Sequence, residues 1–142
     1  MDTVNTRALA QAMTVHPRWL CGLVAQRVVT DLRVDRRKGL PLFYGLDEVG
    51  QAVIAQELRR LTCNYCIIRE VVDRYDENPG NRHTIYSIGG PVQIRVIPER
   101  VRLFAASVFD KAHQIQYGTP SVYYREKYAD TERGGNRPAV LH

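Results

Sequence analysis

Cysteine is scarce, with 3 residues in a chain of 142, too few for the disulfide lattice that holds many small secreted folds together. No uncharged apolar run approaches the roughly 20 residues that a membrane-spanning helix needs. The opening residues, MDTVNTRALAQ, carry no basic stretch followed by an apolar core. No secretory signal is therefore expected, and the expected compartment is a reducing cytoplasm. A fixed-period repeat, a low-complexity tract and, before residue 77, a linker rich in Gly, Ser or Pro are all missing. So are a glycine-rich phosphate loop, a nucleophile elbow and a helical His-Glu-x-x-His, which leaves no motif for an enzyme or a cofactor. Lysine is rare as well: Lys38, Lys111 and Lys127 stand among 20 Lys+Arg.

What remains is a basic, arginine-rich globular composition. The chain is 44% hydrophobic and 25% charged, ordinary for a packed domain, and it carries a formal charge of +5. A surplus of that size permits a polyanionic partner without requiring one. Arginine suits such a partner because its planar fork binds phosphates and base edges through paired hydrogen bonds. The surplus is spread along the chain, with 9 Lys/Arg against 6 Asp/Glu in residues 1–60 and 11 against 9 in the remainder. Any nucleic-acid surface must come from local clustering, and the densest cluster is Arg33-Val34-Asp35-Arg36-Arg37-Lys38.

The first sixty residues read as helix, turn, helix, hairpin, helix. Asn5 or Thr6 is suited to cap a short helix, with Leu9, Ala12 and Met13 at helical spacing. Thr14-Val15-His16-Pro17 interrupts it, and Pro17 fits the first position of a second helix. There Leu20, Leu23, Val24 and Val28 make the apolar stripe. The opposite face carries Arg18, Gly22, Ala25 and Gln26, with Trp19 and Cys21 on its flanks. Arg is able to pair with guanine and Gln with adenine through two hydrogen bonds each, and Gly22 would let the backbone approach a groove. Gly22 equally fits close packing of this helix on its neighbours, so both readings stand.

From Val28 the period changes to that of strands. Val28–Val34, a turn over Asp35–Gly39 and a return over Leu40–Tyr44 predict a hairpin, with Pro41 confining the return strand to an edge. Its tip presents Arg36, Arg37 and Lys38, suited to phosphates and equally to a solvated turn. A third helix follows: Leu46, Val49, Val53, Ile54, Leu58 and Leu61 mark a buried face. Asp47 and Glu48 lie in its first turn and Arg59 and Arg60 in its last, matching the helix dipole.

This order, with Gly39-Leu40-Pro41-Leu42-Phe43-Tyr44-Gly45-Leu46-Asp47-Glu48-Val49, resembles the MerR-like winged-helix group. Excisionases and several actinobacterial phage repressors are similar in this arrangement. The resemblance covers residues 5–61 and implies a recognition helix in the major groove of double-stranded DNA. Arg18, Gly22 and Gln26 would then meet bases, and Arg33, Arg36, Arg37 and Lys38 of the wing would meet phosphates.

The second half is expected to be a small antiparallel sheet followed by a helix. Cys66–Tyr75 reads as a strand on its β-branched content. His83–Ile88 and Val92–Val96 alternate around Gly89-Gly90, and Val101, Leu103 and Ala105 complete a sheet of three or four strands before a helix to about residue 116. The other reading has Pro98 open a helix through Val101, Phe104, Val108, Ala112 and Ile115. Tyr124, Arg125 and Lys127, with Tyr123 and Tyr128, combine aromatics and cations as a second nucleic-acid contact would. The same tyrosines are equally suited to dock this segment on the sheet.

Cys63-Asn64-Tyr65-Cys66 has the spacing of half a zinc site but lacks a second pair, so no metal is expected and the cysteines are read as buried or half-buried free thiols. The fold class is thus α+β, with a winged helix-turn-helix domain over 1–62, an accessory α+β unit over 63–129 for oligomerisation or a second contact, and a flexible tail over 130–142. The expected function is sequence-specific regulation of transcription, with double-stranded DNA as partner, a second copy of the chain or another DNA-bound protein as the further candidates, and no membrane. The alternative is a protein-interaction module on the same scaffold, such as a small inhibitor of a host factor.

Overall fold

The computed structural model describes residues 3–30, 42–77 and 83–119. Among them the fold is mixed helix and strand, in the order β1 (Val4–Asn5), α1 (Thr6–Met13), α2 (Pro17–Ala25), β2 (Phe43–Tyr44), α3 (Leu46–Leu58), α4 (Tyr65–Asp76), β3 (Thr84–Gly89), β4 (Val92–Val96) and α5 (Pro98–Tyr117). The strands form two antiparallel pairs, β1 with β2 and β3 with β4.

Each of the first helices starts on a side-chain cap. Asn5 Oδ1 accepts from the Ala8 N–H at 2.8 Å, and His16 Nδ1 accepts from the Arg18 N–H at 3.1 Å, with Pro17 at the first position of α2. These bonds satisfy backbone donors that the helix itself leaves unpaired. α1 ends at Thr14, whose φ of 58° and ψ of 47° are left-handed. There the Val15 N–H donates to Ala10 O at 2.9 Å and the Thr14 N–H to Gln11 O at 3.2 Å. This paired closure ends the helix within one residue and turns the chain directly into α2.

α3 is the central element, with Val49, Ala52, Val53, Ile54, Ala55 and Leu58 all buried. Gly45 caps it without a side-chain bond, Asp47 and Glu48 occupy its first turn, and Arg59 forms its C-cap rather than its last turn. α5 packs along both α1 and α3, so one core cluster runs from Val4 to Ala112. The expected boundary near Leu61–Asn64 coincides with the turn between α3 and α4, and the core is continuous across it.

Three expectations are corrected. Residues 66–75 are helical, not a strand: Asn64 Oδ1 caps the Cys66 N–H at 2.9 Å, and Ile68, Val71 and Val72 bury one face at helical spacing. A shared buried face outweighs the small preference of β-branched residues for strands. Second, α5 begins at Pro98, so Val101, Leu103 and Ala105 are helical and the second-half sheet has two strands among the described residues. Val101, Ala105, Phe109 and Ala112 are buried at helical spacing, whereas Leu103 is 66% exposed. Third, Val28–Thr30 is a turn with Val28 and Val29 buried, and β2 pairs with the amino terminus, Val4 opposite Tyr44 and Asn5 opposite Phe43. The rest of the expected hairpin, residues 31–41 with its basic tip, lies outside the described residues.

Candidate nucleic-acid interface

α2 divides into two faces. Leu20 and Leu23 are buried in the core, while Arg18, Cys21, Ala25 and Gln26 are exposed and Gly22 half-exposed. The exposed side is the one expected from the sequence, and no described residue covers it. A Cβ placed on Gly22 meets no atom within 4 Å. Close helix packing at Gly22 is therefore absent among the described residues, and the backbone there is open to approach from outside.

Both ends of this face are flanked by arginines from elsewhere in the chain. The guanidinium of Arg59, from the C-cap of α3, lies 5.2 Å from the centre of the half-buried Trp19 ring. The geometry is that of a cation–π contact, which holds a long side chain against an apolar surface while leaving its donors exposed. At the other end Arg69 of α4 donates from Nη1 to the Gln26 carbonyl at 3.4 Å and from Nη2 towards Cys66 Sγ at 3.8 Å. Gln26 is the C-cap of α2, so Arg69 also places positive charge at the negative end of that helix. Arg27 follows with φ of 61°, a left-handed conformation that disfavours any side chain.

Of the residues expected to contact DNA, Arg18, Gly22 and Gln26 share this exposed face. Arg33, Arg36, Arg37 and Lys38 lie outside the described residues, as do Tyr124, Arg125 and Lys127. Sequence reasoning missed Arg27, Arg59 and Arg69 as neighbours of the face. Arg59 was legible only as a dipole partner, and nothing in one dimension brings Arg69 to Gln26 across 43 positions.

A second feature is an open cavity of about 470 Å³ behind α3, lined by Thr30, Glu48, Gln51, Tyr75, Asp76 and Arg102 among others. The buried Gln51 organises it. Its Oε1 accepts from the Thr30 N–H at 2.8 Å, and its Nε2 donates to Thr30 Oγ1 at 3.1 Å and to Asp76 Oδ2 at 2.7 Å. Burial raises the carboxyl pKa of both Glu48 and Asp76, and burial likewise raises that of the Tyr75 hydroxyl. Both polar atoms of the Gln51 side chain thus tie the segment after α2 to the end of α4.

No group of three or more His, Cys, Asp or Glu side chains among the described residues is arranged to hold a metal ion. The cysteines depart from expectation in one respect: Cys21, Cys63 and Cys66 are free but exposed. The buried stripe of α4 runs through Ile68, Val71 and Val72, which leaves Cys66 outside it. Among the described residues no helix is long and apolar enough to cross a membrane.

No family model matches the chain, and no curated protein and no solved structure matches it either.

Proposed function

We propose that the protein is a sequence-specific, non-enzymatic regulator of transcription that binds double-stranded DNA through α2. The observation that carries this reading is the outer face of α2, which no described residue covers and where Arg18, Gly22, Ala25 and Gln26 stand together after a three-residue turn from α1. Arg and Gln are the side chains that read guanine and adenine edges in the major groove, and the small residues between them permit a close fit. The resemblance to the MerR-like winged-helix group supports the same assignment, with the basic segment 33–38 as the wing and a phage or mobile-element repressor or excisionase-like factor as the role.

Selection of bound fragments from a random or genomic duplex pool tests it. An enriched motif, bound with strong salt dependence and relaxed at single positions by Arg18→Ala or Gln26→Ala, is the expected result. Absence of salt-sensitive binding to any duplex would sink the reading.

One observation favours the alternative of a protein-interaction module: Leu103 and Phe104 on α5 are 66% and 63% exposed. That reading expects a stable protein complex that is indifferent to Arg18→Ala.

A further inference from the structure

We infer that Arg59 and Arg69 form a phosphate-binding rail beside α2, gripping the backbone of the duplex from the end of α3 and from α4. The inference rests on the DNA reading of α2 and deepens it.

The two arginines touch α2 at Trp19 and Gln26, seven positions apart. One contact is to the Trp19 side chain in the first turn of α2, and the other is to the backbone carbonyl of the C-cap, so the two cations stand near opposite ends of the exposed face.

Availability supports the role. The ion pair present nearby joins Arg60 to Glu57 at 3.7 Å, and neither Arg59 nor Arg69 has a carboxylate partner among the described residues. Each is instead held by a neutral group, Trp19 in one case and the Gln26 carbonyl in the other, which restrains the side chain while no described carboxylate neutralises its charge. Holding a guanidinium in place before binding lowers the ordering cost of a phosphate contact. Duplex DNA, with its regular spacing of phosphates beside a groove that admits a helix, is the partner this arrangement fits.

Titration of the full-length chain against its selected duplex at several salt concentrations tests the rail. Arg59→Ala and Arg69→Ala should each weaken binding several-fold on cognate and non-cognate duplexes alike, and each should lower the slope of log affinity against log salt by about 1. Arg59→Lys, which keeps the charge, should keep the slope. Arg95→Ala, at an exposed position of β4, removes an equal charge elsewhere and should leave the slope unchanged. Thermal melts establish that the variants fold. If wild type binds DNA and both alanine variants retain its slope, or if Arg95→Ala lowers it equally, the rail is overturned while the reading of α2 stands. If wild type binds single-stranded RNA and no duplex, both fall.

Discussion

Thr14 and Arg27 close successive helices with the same left-handed backbone, at φ of 58° and 61°. The hydrogen bonds repeat as well: Val15 to Ala10 and Thr14 to Gln11 after α1, then Val28 to Leu23 and Arg27 to Val24 after α2. In most helices such a position is taken by glycine, as Gly118 does after α5 with φ of 76°.

The left-handed conformation costs an L-residue roughly 1–2 kcal/mol, and glycine regains part of that before its own entropy is counted. Thr14→Gly should therefore stabilise the fold by about 0.5 kcal/mol in a urea melt. Arg27→Gly should stabilise it similarly and yet weaken DNA binding, because it removes a cation beside the end of α2. A variant that gained stability and kept full affinity would deny Arg27 a part in the interface.

Gln51 makes three hydrogen bonds while 5% exposed, so its removal takes a partner from the partly exposed Thr30 and Asp76 groups that it joins. Gln51→Leu should cost about 1–2 kcal/mol by denaturant unfolding, because the Thr30 N–H and Asp76 both lose a partner at sites that water reaches in part. Gln51→Glu sets a carboxylate against Asp76, and its loss should shrink as pH falls.

Glu48 and Asp76 both have carboxyl pKa values raised by burial above the ordinary 4.5 and 3.8. A raised pKa means the native state holds protons more tightly than the unfolded chain. The stabilisation is complete below the unfolded values and is lost as pH rises through the raised ones. Glu48→Gln and Asp76→Asn should consequently gain stability relative to wild type at pH 7 and show no gain below about pH 3. Urea melts across that range measure the difference; a gain that persisted at low pH would place its cause elsewhere.

Cys21 lies on the outer side of α2, whereas Cys63 sits in the turn before α4, and both are exposed. Alkylation of the folded protein should label all three cysteines. Bound duplex should protect Cys21 strongly and Cys63 little, as read by mass spectrometry of labelled peptides. Equal protection, or none at Cys21, would argue against α2 as the contacting helix.

Local signals in the sequence resolved the parts of the fold that depend on near neighbours. The Asn5 cap, Pro17 at a helix start, the acidic first turn of α3 and the burial of Leu20 and Leu23 all follow from spacing and side-chain chemistry. What misled was β-branching. Ile67, Ile68, Val71 and Val72 favour strands one by one, yet three of them lie on the face that α4 turns to the core. Alternation at Val101, Leu103 and Ala105 was equally deceptive, because Pro98 starts the helix and Leu103 points outward. For the candidate site, the composition of α2's outer face was legible and its arginine neighbours were not. Arg59 and Arg69 reach it only through the packing of α3 and α4.

The amino terminus is fastened to the far end of α5: the Asn5 N–H donates to Gln116 Oε1 at 2.7 Å, and the Tyr117 hydroxyl donates to Thr3 O at 3.0 Å. These contacts bridge 111 and 114 positions. During synthesis α1, on which α2 packs, leaves the ribosome long before the helix that covers α1, so that side of α1 waits uncovered until most of the chain has emerged. Folding is slowed by such distant closures. Competence to grip a ligand through α2 would then arrive late and all at once, which makes nascent or truncated chains poor competitors for the site that the finished protein occupies.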